Sequence, residues 1–269
     1  MKSNVLHLSK FYKPFKGGVE EVVATISEGT LERRPTVLSF SHTKASGEEC
    51  VNGVNVFRFK YFFKIGSAPI SFSYVLAVIK YMRNHNIIHL HLPNPIAVLG
   101  VYLGYYLCFN KRMIVVHWHS DVVKQKILLQ LFLPLQTWIL RKAHKIIVTS
   151  PNYLEGSSQL SLFRRKCEVI PIGIHSMADK VKPSLVKDIQ CKYHGKTIIF
   201  ALGRHTYYKD FTTLIEASKD LENVVVLIGG VGQETKNYIS LIKQLGLQNK
   251  VHLIGRIPDD HLPSYFAGS

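Results

Sequence analysis

Residues 87–121 read IIHLHLPNPIAVLGVYLGYYLCFNKRMIVVHWHSD, and this stretch decides the fold class. Apolar runs at Ile87–His91 and Met113–His117 predict two strands. Between them, Pro95–Phe109 predicts a helix, because proline is well placed in a first helical turn. A strand, a helix and a second strand in this order predict parallel strands with a helix packed on the sheet.

The same alternation continues on both sides of this stretch and predicts an α/β protein. Strands are expected at Asn4–Leu8, Thr36–Phe40, Val54–Phe59, Lys145–Thr149 and Glu168–Ile170, and helices at Val19–Gly29, Phe72–Asn84, Val122–Ala143 and from Pro151. This order predicts a doubly wound, Rossmann-like parallel sheet with helices on both faces. Such sheets bind ligands beyond the carboxyl ends of their strands, so the loops there hold the candidate sites.

A second, shorter series follows. Residues 171–195 have no clear periodicity and are expected to link two domains. Beyond them, strands are predicted at Thr197–Leu202, Val224–Ile228 and Val251–Ile254, and helices at Phe211–Asp220 and Glu234–Leu245. We therefore expect one Rossmann-like domain at 1–175 and a second, incomplete one at 195–269.

The composition excludes several classes of protein. The 269 residues are 46% hydrophobic, which excludes a disordered chain. The four cysteines are scattered without a CxxC pair, which argues against a disulfide framework or a structural zinc site. The longest apolar run, Ile96–Phe109, is too short to span a bilayer and is expected to form a buried helix. The N-terminus lacks a signal-peptide pattern, so a cytoplasmic location is expected.

The basic charge is concentrated in the first part of the chain. Residues 1–170 contain 22 Lys and Arg against 9 Asp and Glu, a net charge of +13 out of the +16 of the whole chain. This excess indicates a polyanionic partner: nucleic acid, an anionic membrane or a phosphorylated substrate. No helix-turn-helix, RRM, KH or zinc motif is found, so nucleic acid is not the expected partner.

Two loops of this part contain candidate residues. Gly17 and Gly18 precede a predicted helix, whose N-terminal N–H groups suit phosphate; an ordinary tight turn is the competing interpretation. In the second loop, alternation places His117 and His119 on the same side of a strand end. A single functional histidine and two hydrogen-bonded core histidines are both open interpretations. A metal pair is disfavoured because no third ligand follows at a suitable spacing along the chain.

The second series contains further cations and glycines after its strands. Arg204 offers a bidentate fork and Lys209 a mobile charge, which together fit a diphosphate; two solvated surface charges are the alternative. Gly230 and Gly232 belong to a run of three glycines within four residues, which indicates a close backbone approach or unusual dihedral angles.

The predicted helix at 122–143 combines an apolar stretch with basic ends. Its candidate membrane contacts are Lys124, Lys126, Trp138, Arg141 and Lys142, because Trp and basic residues favour the headgroup layer. A core helix with polar ends, kinked at its internal proline, is the competing interpretation.

Several motifs, taken together and in order, resemble the family 4 retaining glycosyltransferases of the GT-B fold. They are SKFYKPFKGGVEEV, HWHSDVVKQ, VTSPNYL, VIPIGI, LGRHTYYKDFTTLIEA and LIGGVGQE, and they span nearly the whole chain. The resemblance implies an acceptor mainly on the first domain and a nucleotide-sugar mainly on the second.

The resemblance also implies roles for individual residues. His119 matches the histidine beside the transferred sugar, and Arg204 and Lys209 match the pair that clamps the donor diphosphate. Gly17 and Gly18 match glycines near that diphosphate, and Gly230 and Gly232 lie in the loop near the nucleotide. The implied reaction moves a hexose, with mannose the first candidate, from GDP-mannose or a UDP-sugar to a glycan or lipid-linked acceptor, without a metal or other cofactor.

The sequence departs from the family pattern in two places. Asp210 stands where the family usually has Gly, and we expect it to cap the following helix. The acidic E-x7-E motif is absent from these residues, so we expect a C-terminally truncated chain. A shortened, inactive glycosyltransferase-like binding protein is therefore the alternative function. For the active form, peripheral binding to the inner face of the cytoplasmic membrane is expected, since a lipid-linked acceptor lies there.

Overall fold

The computed structural model describes residues 4–43, 45–107, 112–122, 126–174 and 176–269. The chain divides into two compact units, Met1–Gly173 and Ile174–Ser269. Each unit is an α/β structure with its own parallel sheet and its own apolar core. The predicted fold class, two Rossmann-like parallel-sheet regions, is confirmed.

The first unit is built on one large sheet. Its strands are β1 (Val5–Leu8), β2 (Thr36–Phe40), β3 (Gly47–Val51), β4 (Val54–Phe59), β7 (Ile87–Leu92), β8 (Met113–Trp118), β9 (Lys145–Val148) and β10 (Cys167–Val169). The strands β5 (Phe63–Ile65) and β6 (Ala68–Ile70) form a separate hairpin. The sheet order is β10-β9-β8-β7-β1-β2-β4-β3. Every neighbouring pair is parallel except β3 with β4, which is antiparallel.

Helices cover this sheet. They are α1 (Gly18–Glu28), α2 (Phe72–Met82), α3 (Pro95–Leu107), α4 (Lys126–Lys142) and α5 (Pro151–Gly156). The central strands are buried along their whole length, as expected for parallel strands covered on both faces. Close packing of α2 on α3 depends on glycine: a Cβ at Gly100 would press on Val78, and one at Gly104 would press on the sulfur of Met82. The two helices therefore approach more closely than larger residues would allow.

The second unit contains a smaller sheet of β11 (Thr197–Leu202), β12 (Val224–Gly229) and β13 (Val251–Gly255), which lie in this order with both pairs parallel. Its helices are α6 (Pro183–Lys192), α7 (Phe211–Ala217), α8 (Thr235–Gln244) and α9 (Leu262–Ala267). On one side of the sheet, Phe211, Ile215, Tyr238 and Ile242 form a core with Val226 and its strand neighbours. On the other side, Ile189 of α6 packs on Val225 and Leu227.

The structure corrects the predicted link. Residues 171–195 contain the helix α6, which begins at Pro183 and buries Ile189 against the second sheet. The prediction failed because this helix is largely polar, and only Ile189 among its residues is buried. Sequence periodicity also missed the antiparallel strand β3, which is exposed over most of its length and so carries no apolar pattern.

The helix expected to be buried, Ile96–Phe109, is buried on one face only. Within α3, Ala97, Val98 and Val101 are fully enclosed, whereas Tyr106 is 61% exposed and Leu107 is 55% exposed. Residues 108 and 109 lie outside the described residues. Because α3 is apolar all round, its sequence could not show that one side faces solvent. Among the described residues, no helix combines the length and apolar character needed to cross a membrane.

Candidate functional site

The order of strands places one topological switch point at the carboxyl edge of the first sheet. Strand β1 has β2 on one side and β7 on the other, so the chain connections leave β1 and β7 in opposite directions. Open α/β sheets bind their ligands at such a switch point. Gly17 and Gly18 follow β1, and His119 directly follows β8, the neighbour of β7.

A cluster of histidines lies on the strands at and next to this switch point. Its members are His7 of β1, His89 and His91 of β7, His117 of β8, and His119. The strand register pairs His7 with His89 and His91 with His117. Since side chains alternate between the faces of a sheet, these pairings bring the imidazoles together on one face. We call this set the histidine cluster.

Three members of the histidine cluster form a chain of contacts. His7 Nδ1 lies 3.3 Å from His91 Nε2, and His91 Nδ1 lies 3.1 Å from His119 Nε2. A neutral imidazole carries one N–H, so His91 donates in one of these contacts and accepts in the other. The proton positions along the chain are therefore coupled. The fourth ring, that of His117, stacks on His119 with 4.4 Å between ring centroids and only 6° between planes.

Burial keeps these imidazoles neutral. Desolvation lowers the pKa of His119 and of His7 to about 3, with a smaller contribution from His117. Desolvation alone lowers the pKa of His117 to about 4. The pKa values of His89 and His91 lie well below the usual value, because burial disfavours the charged form and the neighbouring histidines would repel it. Near pH 7 the cluster offers N–H donors and nitrogen lone pairs without positive charge.

Sequence spacing offered two candidate histidine ligands, His117 and His119. The neighbouring strand β7 supplies a third imidazole, that of His91. Ring nitrogens of His91, His117 and His119 lie within 4.8 Å of one another, as do those of His7, His89 and His91. Searching along one strand missed His91 because parallel neighbours are separated in sequence by a helix. The signal was present as IIHLHL, in which alternation places His89 and His91 on one face of β7.

The segment after β8 is held by the carboxylate of Asp121. This carboxylate accepts hydrogen bonds from Trp118 Nε1 at 2.9 Å, Tyr153 Oη at 2.6 Å and Ser157 Oγ at 2.8 Å. Burial and the neighbouring Asp121 raise the pKa of Tyr153, so its hydroxyl remains a donor. The network fixes the chain on both sides of His119. The backbone N–H of His119 donates to the backbone carbonyl of Leu92 at 3.0 Å. Sequence reasoning did not identify this role for Asp121.

At the predicted phosphate loop after β1, the two glycines differ. A Cβ at Gly17 would collide with the carboxylate of Glu20, which folds back over the loop and is buried. A Cβ at Gly18 would meet nothing within 4 Å. The space beside Gly17 is thus filled by the Glu20 side chain, whereas the space beside Gly18 is open. Neither finding identifies a bound phosphate, so the donor role of this pair remains a prediction.

In the second unit, two glycine-containing loops press together. A Cβ at Gly230, which has a φ of +117°, would overlap the carbonyl oxygen of Gly203. A Cβ at Gly232 would overlap the carbonyl of His205. The loops are joined by backbone hydrogen bonds, including His205 N–H to the carbonyl of Val231 at 3.2 Å. The predicted close backbone approach at these glycines is thus seen between the two loops.

The predicted cation pair lies in the first of these loops. Gly203 follows β11, and Arg204 comes directly after it. The aliphatic part of Lys209 lies close enough to Gly203 to contact a Cβ placed there. The structure therefore brings the backbone of 203–204, Lys209 and Gly230 together at the carboxyl ends of β11 and β12. The expected capping by Asp210 is not seen: Asp210 accepts from the hydroxyl of Thr213 at 2.8 Å and makes no side-chain cap bond to the backbone. Its φ of 48° lies in the left-handed region that glycine favours.

The structure exposes some residues of the predicted membrane-binding helix and buries others. On α4, Ile127 and Leu131 are each 77% exposed, whereas Ile139 and Leu140 are buried in the core. Arg141 and Lys142 are exposed at the end of the helix.

Trp138 is half-buried and packs among tyrosines of α3, donating from Nε1 to Tyr106 Oη at 3.2 Å. Lys124 lies outside the described residues, and so does the side chain of Lys126.

Comparison with solved structures establishes the fold of the chain. The chain aligns with the crystal structure of Alr3699/HepE from Anabaena in complex with UDP, with a TM-score of 0.75 and 19% sequence identity. The alignment covers 98% of this chain and 72% of that one. At this identity the likeness establishes the fold, which is the GT-B fold.

The family follows from the sequence comparisons. The family model described as Glycosyltransferase Family 4 matches residues 16–176, and the one described as Glycosyl transferases group 1 matches residues 186–269. The chain belongs to glycosyltransferase family 4.

Two curated relatives carry more specific names. O-antigen chain mannosyltransferase C of Escherichia coli is 31% identical over 258 residues, which cover 92% of this chain. D-rhamnosyltransferase WbpZ of Pseudomonas aeruginosa is 27% identical over 259 residues, which cover 95% of this chain. The chain spans 66% of the length of each of these relatives.

Proposed function

We propose that this chain carries the acceptor-side and nucleotide-side groups of a retaining glycosyltransferase of cell-surface glycan synthesis. The observation that carries the proposal is the placement of Arg204, Lys209 and the glycine loops at the carboxyl ends of β11 and β12. That edge of a parallel sheet is where such folds bind nucleotides. The neutral histidine cluster at the corresponding edge of the first sheet supplies the sugar-side groups.

The second unit acts on the leaving group. When the bond from sugar to diphosphate breaks, negative charge develops on the diphosphate. Arg204 and Lys209 stabilise that charge, and fixed charges aimed at developing charge contribute strongly to catalysis. Gly230 and Gly232 leave no side chain between the two loops and so keep their backbones close.

His119 acts on the sugar. Positive character develops on the sugar ring as the leaving group departs, and a charged imidazolium would repel it. Burial lowers the pKa of His119 to about 3, so the ring stays neutral. The neutral ring does not repel the positive character that develops on the sugar. The contact of its Nε2 with His91 fixes the ring orientation. Retention of anomeric configuration belongs to this proposal.

The donor and acceptor are proposed from the relatives. The similarity to O-antigen chain mannosyltransferase C supports GDP-mannose as the first candidate donor. The UDP bound to the Anabaena protein supports UDP-sugars as the second. A glycan or lipid-linked glycan is the proposed acceptor, because one curated relative is named for mannosyl transfer to the O-antigen chain.

Replacing His119 tests the assignment. His119→Ala is expected to lower transfer of radiolabelled hexose from GDP-mannose or a UDP-sugar to a lipid-linked glycan extract by about 10²–10³-fold. The exposed His194→Ala is the matched control and should retain full transfer. The anomeric coupling of the product, measured by NMR, tests retention. Undiminished transfer by His119→Ala contradicts the assignment, and absence of transfer by the unmodified chain favours the alternative of an inactive binding protein.

We also propose peripheral binding to anionic membrane surfaces through α3 and α4. Tyr106 and Leu107 on α3 and Ile127 and Leu131 on α4 are exposed apolar side chains, and α3 packs against α4. Arg141 and Lys142 add charge at the end of α4. Each basic residue near an anionic surface contributes about 1 kcal/mol within a Debye length.

Co-sedimentation with vesicles tests this second proposal. The chain is expected to pellet with vesicles containing phosphatidylglycerol and less with phosphatidylcholine alone, and to be released by salt. Changing Lys124, Lys126, Arg141 and Lys142 to Glu should abolish pelleting, while Lys219→Glu in the second unit serves as control. A chain that stays in the supernatant with anionic vesicles at low salt contradicts membrane binding.

A further inference from the structure

Several buried ring nitrogens of the histidine cluster have no hydrogen-bond partner among the described residues. His117 is 4% exposed, and among the described residues neither of its ring nitrogens has a hydrogen-bond partner. In the same part of the chain, Nε2 of His7 and Nε2 of His89 are also buried without a partner. A buried polar group without a partner is unfavourable and requires an explanation.

Another buried histidine of the same unit shows the ordinary arrangement. His85 is 7% exposed, and both of its ring nitrogens have partners: the carbonyl of Tyr81 at 2.7 Å and Thr36 Oγ1 at 3.0 Å. The fold thus satisfies a buried imidazole where no further ligand is involved. The contrast with His117 indicates that a group outside the protein completes the histidine cluster.

We propose that His91, His117 and His119 form a binding site for one divalent transition metal ion of the zinc type. Imidazole nitrogens are preferred ligands of Zn²⁺, and a site with three protein ligands leaves a fourth position for water or another small ligand. This site is separate from any metal requirement of sugar transfer, for which the proposed function invokes none.

The distances within the triad fit such an ion. Two nitrogens bound to one tetrahedral Zn²⁺ at about 2.0–2.1 Å lie about 3.3 Å apart. His91 Nδ1 and His119 Nε2 are 3.1 Å apart, so the separation of these two nitrogens already matches that of two ligands of one ion. The ring nitrogens of the triad lie within 4.8 Å of one another, so His117 closes by about 1.5 Å at most to complete the site.

The surroundings of His91 also fit. Histidines that bind a metal usually hold their other ring nitrogen in a hydrogen bond, which fixes the ring orientation. His91 would bind through Nδ1, and its Nε2 already lies 3.3 Å from His7 Nδ1. The second triad, His7 with His89 and His91, is entirely buried, whereas His119 is partly exposed and offers an entry path. The proposal therefore places the ion in the outer triad.

Metal binding here would have one consequence for the proposed function. An ion bound to His119 Nε2 alters the ring that the proposed mechanism assigns to the sugar, so Zn²⁺ is expected to inhibit transfer. This consequence rests on the proposed function, but the metal site itself does not. The test below therefore measures binding without any transfer assay.

Cobalt provides the direct readout. The full chain, treated with a chelator and then dialysed, is titrated with Co²⁺ and followed by visible absorption, which is intense for tetrahedral coordination. One Co²⁺ per chain is expected, and one equivalent of Zn²⁺ should displace it. Absence of tetrahedral absorption together with no Zn²⁺ binding in calorimetry overturns the proposal.

Four variants identify the ligands. His117→Gln and His119→Gln are expected to weaken Co²⁺ binding at least tenfold, while His89→Gln, which belongs to the inner triad alone, and His85→Gln should bind as the unmodified chain does. Circular dichroism and thermal melting verify folding; if His117→Gln does not fold, the partly exposed His119→Gln carries the test. Loss of binding in His89→Gln with retention in His119→Gln, or equal binding in all variants, overturns the assignment to the outer triad.

Discussion

The two loop regions at the carboxyl edges of the sheets are held in opposite ways. In the first unit, side chains hold the segment around His119, with Asp121 accepting from Trp118, Tyr153 and Ser157. In the second unit, the absence of side chains at Gly230 and Gly232 lets two loops meet backbone to backbone. The first region is therefore sensitive to losing a side chain, and the second to gaining one.

The two regions also differ in the charge of the groups they present. The first region presents imidazoles kept neutral by burial, which suit a sugar on which positive character develops. The second presents a guanidinium and an ammonium, which suit a diphosphate. The proposed function assigns the sugar to the neutral groups of the first unit and the diphosphate to the cations of the second.

Adding a methyl group in the second region should have the largest effect. Gly230→Ala is expected to lower the free energy of unfolding by about 4 kcal/mol, because the Cβ overlaps the carbonyl oxygen of Gly203 and φ is +117°. Gly246→Ala is the matched control, since Gly246 has a φ of +69° but open space around its Cβ position. It should cost about 1 kcal/mol. Urea unfolding measures both, and equal losses would contradict the loop contact.

Removing a side chain in the first region should have the next largest effect. Asp121→Ala is expected to destabilise the chain by about 3 kcal/mol, because the donors of Trp118, Tyr153 and Ser157 lose their acceptor. Glu155→Ala, an exposed acid on α5, should change stability by less than about 0.5 kcal/mol. If both variants unfold at the same urea concentration, Asp121 does not hold this segment.

The buried histidines predict acid sensitivity of the metal-free first unit. Their folded pKa values lie below the unfolded value of about 6.5, so the unfolded chain binds more protons below that pH. Their contribution to stability is complete above pH 6.5 and is lost as the pH falls towards 4 and 3.

Between pH 7 and 6 the free energy of unfolding should fall on the order of 2 kcal/mol, measured by urea titration with chelator present. His117→Gln should weaken this dependence in part, because the other buried histidines still contribute, and the exposed His194→Gln should leave it unchanged. A flat profile for the unmodified chain would mean that the cluster is charged or hydrated when folded.

Sequence reasoning predicted the architecture because apolar runs and helical spacing are strong where strands are covered on both faces. It located β1, β2, β4, β7, β8 and the three strands of the second unit. It missed β3 and α6, whose side chains are largely exposed or polar and whose structure is set by packing onto a neighbour. Periodicity reports burial, so elements with little burial carry little signal.

The candidate site was predicted in part for a related reason. Loops after strands are visible in sequence, and so Gly17, Gly18, His119, Arg204 and Lys209 could be named. The joining of His7, His89 and His91 to the cluster depends on the neighbours of β7, which sequence order alone does not give. The same holds for Asp121, whose partners Tyr153 and Ser157 lie one strand and helix further along the chain.

Calorimetry with GDP and UDP tests most directly the claim that the second unit binds a nucleoside diphosphate through Arg204 and Lys209. The unmodified chain is expected to bind one of them, and Arg204→Ala and Lys209→Ala should each weaken binding by about 10–100-fold, or about 1.4–2.8 kcal/mol. The exposed Lys219→Ala should bind like the unmodified chain. Failure to bind either nucleotide, or equal affinities in all four proteins, would contradict the claim.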